Sequence, residues 1–289
     1  MPELPEVETV KRGLEQLIIH KSVQSITHDT EKSFPNAVQD IEAFLIHSEV
    51  IAIRRRAKVL LIDLSSEYSL VVHLKMTGQI VYVGAERFGA GHPNDSLINS
   101  LPDKSTRVEL TFTDGTKLFF NDQRKFGWMK LMPTIEIPNI DFMKKVGPEP
   151  LEADFSAREF RERFTRRART NIKAAILDQT VIAGVGNIYA DESLWGAKIH
   201  PKRLVGSITN KEFDQLYTEL REVMNLAIEK GGSTDRNYVN AEGKRGSYMD
   251  FARVFRKEGQ TCPRHSDVMI EKIRVAGRGT HICPACQVV

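Results

Sequence analysis

With 289 residues, of which 41% are hydrophobic and 27% are charged, the chain has the length for about two globular domains. No apolar run approaches the roughly 18 residues of a membrane span, and the N-terminus is acidic where a secretory signal would be basic, so we expect a cytoplasmic protein. The net charge is only +3, but basic residues cluster at 54–58, 163–169 and 253–278, which is typical of a protein that binds a polyanion along one face; solvated helix faces are the alternative.

The N-terminal half of the chain predicts one helix followed by many short strands. Apolar residues recur at helical spacing over residues 7–18, which predicts an amphipathic helix. From residue 22 to residue 133 the pattern changes to short runs rich in β-branched residues, with a hairpin turn at 113–116. Many short strands with few helices predict a β-sandwich. The predicted strands are 50–53, 59–64, 70–74, 80–83, 108–112 and 117–120.

The C-terminal half is different in character. A stretch rich in proline and glycine at 147–151 predicts a linker. Beyond it, the periodicity predicts helices at 157–166, 172–177, 188–194 and 210–230, followed by a polar, glycine-rich segment that ends near residue 247. The chain closes with a segment that holds all three cysteines.

The cysteines belong to two ligand pairs, Cys262-x-x-His265 and Cys283-x-x-Cys286. Such spacing places two donors on one tight turn, and two turns can complete a tetrahedron around Zn²⁺. His281 is a rival fourth ligand, and three free thiols beside an incidental histidine are the alternative to a metal site. With four protein ligands the zinc would have no open position, so we predict a structural ion.

Four separated motifs then point to one family. The sequence resembles the formamidopyrimidine-DNA glycosylases at residues 2–9 (PELPEVET), 122–127 (DQRKFG), 184–192 (GVGNIYADE) and 275–280 (VAGRGT). The resemblance implies an α+β fold with an N-terminal β-sandwich flanked by helices (1–135), a linker (136–154), a helix–two-turn–helix domain with a lesion-recognition loop (155–250) and a C-terminal zinc-finger β-hairpin (251–289). It also implies a monomer that binds double-stranded DNA containing oxidised purines or abasic sites, with one structural Zn²⁺.

The resemblance implies a catalytic role for the N-terminus. Pro2 is implied to attack the sugar C1′ and form a Schiff base, which permits base excision and β,δ-elimination. Its nitrogen becomes a nucleophilic secondary amine, with a pKa of about 8, only after removal of Met1. Glu3 is implied to be the acid/base residue and Glu6 the carboxylate beside the amine; the alternative is that both merely favour the first helical turn. Lys58 is implied to meet DNA beside the lesion, and a surface lysine is its alternative.

Further residues are implied to contact DNA. Met76, Arg124 and Phe126 are implied to fill the void left by an extruded base, although a methionine and a phenylalanine on strands are more often part of a core. The residues implied to position the phosphate backbone are His73, Lys173, Asn187 and Arg278. The loop from about residue 240 to residue 248, which includes Lys244, is implied to recognise the lesion.

Two positions depart from the family pattern. His265 replaces the usual second zinc cysteine, and Phe255-Arg256 replaces a common Tyr-Gly pair. Neither position belongs to the implied catalytic set. The alternative functions are the sister endonuclease VIII group, which acts on oxidised pyrimidines, a non-catalytic DNA-binding protein that retains Met1, and a zinc-ribbon protein that binds RNA or the ribosome.

Overall fold

The computed structural model describes residues 1–233 and 248–289. Lys244 and all but the last residue of the loop expected to recognise the lesion lie outside the described residues. The chain divides into two compact units, one that contains residues 1–144 with 230–233 and one that contains 145–229 with 248–289. In the described part of the chain, no helix combines the length and the apolar character needed to cross a membrane.

The first unit contains a β-sandwich, which confirms the predicted class of fold. Its strands are β1 Val23–His28, β2 Val50–Arg56, β3 Val59–Leu64, β4 Tyr68–His73, β5 Gly78–Val83, β6 Arg87–Gly91, β7 Thr106–Phe112, β8 Lys117–Asp122 and β9 Trp128–Pro133. One antiparallel sheet has the order β1-β7-β8-β5-β6 and the other has the order β2-β3-β4-β9. Apolar side chains from both sheets form one buried core, as expected of facing antiparallel sheets.

Helix α1 (Leu4–Leu17) packs its apolar stripe against β2 and β6 of this unit. Val7, Val10 and Leu14 are buried on that stripe, in agreement with the helical spacing of the sequence. The helix approaches β6 closely at Gly13, where an added methyl group would lie 2.2 Å from the ring of Phe88. Helix α2 (Val38–Phe44) is short and buries only one of its residues.

The second unit combines helices with two small hairpins. Helix α3 Asp141–Lys145 lies at the end of the first unit, which contains four of its five residues. The elements of the second unit are α4 Ala157–Phe164, α5 Ile172–Leu177, α6 Asn187–Gly196, α7 Asn210–Glu229, β10 Thr261–Cys262, β11 His265–Met269, β12 Glu271–Val275 and β13 Arg278–Ile282. Ser156 and Asn171 cap α4 and α5 by accepting the N–H groups of Glu159 (3.2 Å) and Ala174 (2.8 Å). Helix α6 lies at the centre, because it packs against α5, α7 and β13.

Most of the sequence-based elements agree with the structure, and some were missed. The predictions 59–64 and 172–177 have the observed bounds, whereas the other predicted elements differ mainly at their ends. Helix α2 and strands β1, β6 and β9 were not predicted, because short elements of mixed polarity carry weak periodicity. Residues 134–139 form a 3₁₀ helix and 141–145 form α3, so part of the stretch interpreted as a linker is helical.

The close packing at Gly13 generates a stability prediction. In an exposed helix, replacing glycine by alanine gains about 1 kcal/mol. Here Gly13→Ala should instead destabilise the protein by about 1–3 kcal/mol, because the new methyl group overlaps the Phe88 ring. Urea unfolding of the single variant and of Gly13→Ala combined with Phe88→Leu tests this: the second change should recover part of the loss, and a Gly13→Ala protein more stable than wild type would contradict the packing.

Candidate nucleic-acid interface and metal centre

The implied catalytic residues surround the start of α1. Pro2, Glu3 and Glu6 are all buried. The Glu6 carboxylate accepts the Glu3 N–H through Oε2 at 2.6 Å and the Ser233 N–H through Oε1 at 2.8 Å. Glu6 therefore holds both the residue just before α1 and a segment that is distant in the sequence. Its carboxylate also places a negative charge at the positive end of the helix dipole. The structure therefore places all three residues at the N-terminus of α1, and their catalytic roles stay predictions.

Lys58 and His73 lie near each other on the second sheet. Lys58 is the second residue of the two-residue turn between β2 and β3, in which Ala57 has a φ of 52°, and Lys58 is only 7% exposed. Burial lowers the pKa of His73 to about 3, with further lowering by the charges of Lys75 and Lys58. The His73 ring is therefore neutral, and because its Nδ1 accepts the Lys75 N–H at 3.1 Å, its proton is on Nε2.

The three residues implied to enter the duplex lie on neighbouring loops of the first sheet. Met76 is half-buried between β4 and β5, whereas Arg124 and Phe126 are exposed after β8. Phe126 is 48% exposed, which is unusual for a large apolar side chain. The guanidinium carbon of Arg124 lies 4.8 Å from the centroid of the Phe126 ring. The exposed aromatic ring and its stacked cation are typical of a surface that binds nucleic acid.

The second unit brings Asn187 and the turn of the zinc hairpin together. Asn187 is the first residue of α6, and its Nδ2 donates to the carbonyl oxygen of Gly279 at 3.0 Å. The β12–β13 hairpin turns at Ala276 and Gly277, both of which have positive φ, as a two-residue type I′ turn requires. This turn leaves Arg278 exposed beside the N-terminus of α6, an arrangement suited to binding an anion.

Lys173 has a different position from the one predicted. Its side chain is fully buried, and its ammonium group donates to Asp191 at 2.5 Å and to Thr280 Oγ1 at 2.7 Å. The other oxygen of Asp191 accepts the backbone N–H of His281 at 2.9 Å. Burial behind these partners leaves no surface for a direct phosphate contact in this structure. Lys173 joins α5 and α6 to strand β13 instead.

The motifs at 122–127 and 184–192 also contain buried acidic residues to which the sequence comparison assigned no role. Glu192 of α6 is fully buried and accepts the N–H groups of Arg253, Val254 and Phe255 at 2.8, 2.9 and 2.7 Å. Asp122 and Asp191 are similarly buried within quoted motifs. The local sequence carries little signal for this burial, because Asp122 lies among polar residues and Asp191 and Glu192 are adjacent to each other.

The four predicted zinc ligands form one cluster. The donor atoms of Cys262, His265, Cys283 and Cys286 all lie within 4.8 Å of one another. The His265 Nδ1 lies 3.8, 3.7 and 3.3 Å from the three sulfurs, and the Cys262 and Cys286 sulfurs are 3.8 Å apart. Zinc bonds of about 2.3 Å to sulfur and 2.0–2.1 Å to nitrogen place tetrahedral donors about 3.6–3.8 Å apart, so the cluster fits zinc.

His281 is not part of this cluster. Its Nδ1 lies 3.1 Å from Asp191 and its Nε2 lies 3.2 Å from Glu258, so the structure selects His265 as the fourth ligand. Four protein donors leave no coordination position for substrate, which confirms a structural site.

The chemistry of the thiols also favours a cation. Burial raises the pKa of the Cys286 thiol, and the neighbouring Cys283 and Cys262 raise it further. Burial acts in the same direction on Cys262, but hydrogen bonds from the Arg264 N–H and from His265 outweigh it and lower the pKa of that thiol. The cluster therefore resists holding three thiolates together. A bound divalent ion removes this repulsion and links metal binding to folding of the hairpins.

Removing the metal should be visible through Trp195. This indole packs against the zinc cysteines, and the Arg264 guanidinium stacks on it at 3.8 Å. In a Trp128→Phe background, a strong chelator should shift Trp195 emission to longer wavelength as the ribbon unfolds. The His265→Cys variant should keep zinc, whereas His265→Ala should lose it at lower chelator concentration. Unchanged emission after complete zinc removal would show that the ribbon folds without the ion.

Comparison with known proteins agrees with this geometry. The formamidopyrimidine-DNA glycosylase N-terminal domain matches residues 1–129, the formamidopyrimidine-DNA glycosylase H2TH domain matches 146–238, and a zinc finger found in FPG and IleRS matches 268–288. A formamidopyrimidine-DNA glycosylase of Desulforamulus reducens is 40% identical, with 99% of each chain covered.

Solved structures of Lactococcus lactis Fpg have the same fold. Its complex with DNA that contains an abasic site matches with a TM-score of 0.86 at 34% identity, covering 99% of this chain and 100% of that one. A complex of a mutant with DNA that contains Fapy-dG matches with the same score and identity, covering 100% of both chains. The chain therefore belongs to the formamidopyrimidine-DNA glycosylase family.

Proposed function

We propose that this protein is a bifunctional DNA glycosylase and abasic-site lyase of base excision repair that removes oxidised purines, namely 8-oxoguanine and formamidopyrimidines. The observation that carries the proposal is the buried group of Pro2, Glu3 and Glu6 at the N-terminus of α1. The family assignment supports the glycosylase activity, and the Lactococcus lactis relative binds DNA with a Fapy-dG lesion or an abasic site.

The proposed chemistry starts with removal of Met1, which converts the Pro2 nitrogen from an amide into a secondary amine. This amine attacks C1′ of the damaged nucleotide, and the glycosidic bond breaks as the base leaves with the bonding electron pair. The Pro2 nitrogen loses its proton, the departing base takes up one proton, and Glu3 transfers its own proton to the ring oxygen O4′. The sugar then opens, and the nitrogen, which no longer carries a hydrogen, forms a cationic Schiff base, an iminium ion. Loss of a C2′ proton then expels the 3′ phosphate, and a second elimination expels the 5′ phosphate.

The surrounding charges suit this sequence of steps. Glu6 stabilises the positive charge that develops on the Pro2 nitrogen, because its carboxylate is held at the same helix start. We propose that Lys58 binds the phosphate beside the lesion and that the neutral His73 contributes an N–H donor. The buried position of Lys58 means that its charge is screened less by solvent than an exposed lysine's would be.

Extrusion of the base leaves a gap, which we propose is filled by Met76, Arg124 and Phe126. Unstacking a base costs a few kcal/mol, and side chains that occupy the gap offset that cost. The exposure of Phe126 and the stacking of Arg124 on its ring support the assignment.

We propose that Asn187 and Arg278 hold the phosphate backbone without reading its sequence. Lys173 contributes indirectly, because its buried ion pair with Asp191 and its bond to Thr280 place the strand that carries Arg278. A role of Lys244 in the lesion loop stays a prediction. The zinc centre, when occupied, holds the hairpins that present Arg278.

Borohydride trapping tests the nucleophile. With a duplex that carries one 8-oxoguanine opposite cytosine, reduction should leave a covalent protein–DNA adduct, and peptide mapping should locate it on Pro2. Protein that lacks Met1 by intact mass, that is folded and zinc-loaded, and that still gives no adduct would refute the Schiff-base mechanism on this lesion. Preferential trapping on thymine glycol would instead favour the endonuclease VIII activity.

Glu3→Gln separates the two activities. Excision of 8-oxoguanine should fall about 100-fold or more, because the variant lacks the acid that protonates O4′ and opens the sugar ring. Trapping on a preformed abasic site should persist, because its sugar equilibrates with an open aldehyde that the amine can attack directly. Equal loss on both substrates would show that Glu3 does not act in ring opening.

Arg278→Ala should weaken DNA binding and change its dependence on salt. Each phosphate neutralised by a cation contributes about 1 to the slope of log K against log salt concentration, so the variant's slope should fall by about that amount. Arg158→Ala is the matched control, because Arg158 is exposed on α4 and pairs with Glu162 on its own helix. A slope that is the same for Arg278→Ala and wild type would exclude the proposed phosphate contact.

A further inference from the structure

Two loops of the first unit meet at one end of the five-stranded sheet. Strand β5 pairs with β8 in a register that places Gly78 opposite Asp122. Continued two residues beyond the strands, the same register places Met76 opposite Arg124. The loop before β5 and the loop after β8 therefore lie side by side, although 48 residues separate Met76 from Arg124 in sequence.

One carboxylate connects these loops. Asp122 is fully buried, and its Oδ1 accepts the hydroxyl of Thr77, which belongs to the Met76 loop, and the N–H of Arg124 at 3.1 Å. Its Oδ2 accepts the N–H of Phe126 at 2.8 Å and the N–H of Gly127 at 2.7 Å. The Arg124 N–H also reaches Thr77 Oγ1 at 3.1 Å. Oδ1 thus joins the two loops, and Oδ2 holds the loop after β8.

The backbone of the second loop depends on these bonds. Lys125 has a φ of 57°, a backbone conformation that residues other than glycine rarely adopt. The hydrogen bonds from the N–H groups of Arg124 and Phe126 to Asp122 stabilise it on both sides. At Gly127 an added Cβ would lie 2.7 Å from Phe120 and 2.9 Å from the His73 carbonyl oxygen, so the chain passes too close for a side chain. The buried Arg107 also donates to the Asp122 carbonyl oxygen, at 2.8 Å.

We propose that Asp122 is the positioning residue that holds Met76, Arg124 and Phe126 as one unit for insertion into the DNA duplex. This inference rests on the proposed role of those three side chains in base extrusion. Asp122 is itself fully buried and acts only through the loops. Its four hydrogen bonds fix the backbone that carries Arg124 and Phe126 and join it to the loop that carries Met76, so the stacked pair of Arg124 and Phe126 projects from a fixed base.

The proposal makes a distinction between substrates. Excision of 8-oxoguanine requires that a stacked base leave the duplex, whereas a preformed abasic site has no base to unstack. Asp122→Ala should therefore lower 8-oxoguanine excision about 10- to 100-fold, the effect of misplacing an otherwise intact group. Cleavage at a preformed abasic site should change by less than about threefold, since Pro2 and Glu3 are untouched.

A second measurement follows insertion directly. A duplex with 2-aminopurine beside a tetrahydrofuran abasic analogue should fluoresce more strongly when wild-type protein unstacks the fluorescent base. Asp122→Ala and Phe126→Ala should each lose most of this increase. In a variant in which Met76, Arg124 and Phe126 are all alanine, adding Asp122→Ala should cause no further loss, because Asp122 acts through those three side chains. A further loss in that variant would overturn the proposal.

Matched variants separate positioning from general stability. Asp114→Asn changes a carboxylate that accepts the N–H and hydroxyl of Thr116 in the turn at the other end of β8, and it should leave both readouts at wild-type values. Thr77→Val removes the two hydrogen bonds of the Thr77 hydroxyl, to Asp122 and from the Arg124 N–H, and leaves the other bonds of Asp122 in place. It should give a smaller loss in the same direction as Asp122→Ala. If Asp122→Ala does not fold, the Thr77→Val variant provides the test. A ratio of 8-oxoguanine excision to abasic-site cleavage equal to that of wild type in this variant would overturn the proposal.

The outcome also remains distinct from failure of the proposed function. If wild-type protein neither excises 8-oxoguanine nor forms the Pro2 adduct, the proposed activity on this lesion fails. The 2-aminopurine measurement on the abasic analogue then still tests Asp122, because it requires binding and insertion but no catalysis.

Discussion

Buried backbone N–H groups need acceptors, and in this protein carboxylates provide them at the loops that carry the proposed function. Glu6 accepts the N–H groups of Glu3 and Ser233, Asp122 accepts three from the loop after β8, and Glu192 accepts three from residues 253–255. Each carboxylate lies at the end of a helix or strand, or inside a helix, so a rigid element fixes an irregular one. Such hydrogen bonds to a charged acceptor are stronger than those between neutral groups.

The zinc hairpins illustrate how a small segment acquires a fixed position. They are too small to bury a core of their own, so they depend on the metal cluster and on α6. At the first residue of α6, Asn187 donates to the carbonyl oxygen of Gly279, and in the middle of the helix Asp191 joins Lys173 to His281. At the other end, Arg264 donates to the carbonyl oxygens of Trp195 and Gly196 while it stacks on the indole ring. Helix α6 is thus attached to the hairpins at both termini, and the position of Arg278 follows from that attachment.

Local patterns in the sequence predicted those features of the structure that depend on residues close together in the chain. Strand β3 and helix α5 were predicted with their observed bounds, and the spacing of the cysteine pairs predicted the zinc ligands, although only the structure decided between His265 and His281. Contacts between distant residues were not predictable in this way. Lys173 is buried because Asp191 and Thr280 surround its ammonium group, and nothing in the residues adjacent to it indicates that burial. Asp122 likewise acquires its function from Thr77, 45 residues earlier.

The neutral state of His73 determines what kind of contact its ring could make in the role proposed for it. A cation attracts DNA over a Debye length of about 10 Å and thereby adds to every encounter, whether or not the duplex is aligned. An uncharged N–H donor acts only at hydrogen-bond range and only along its own direction. With a pKa of about 3, the imidazole keeps this character throughout the physiological pH range. The contact proposed for His73 would therefore form only when a phosphate is correctly placed. It would add to the affinity for a correctly aligned duplex and nothing to the initial attraction of DNA.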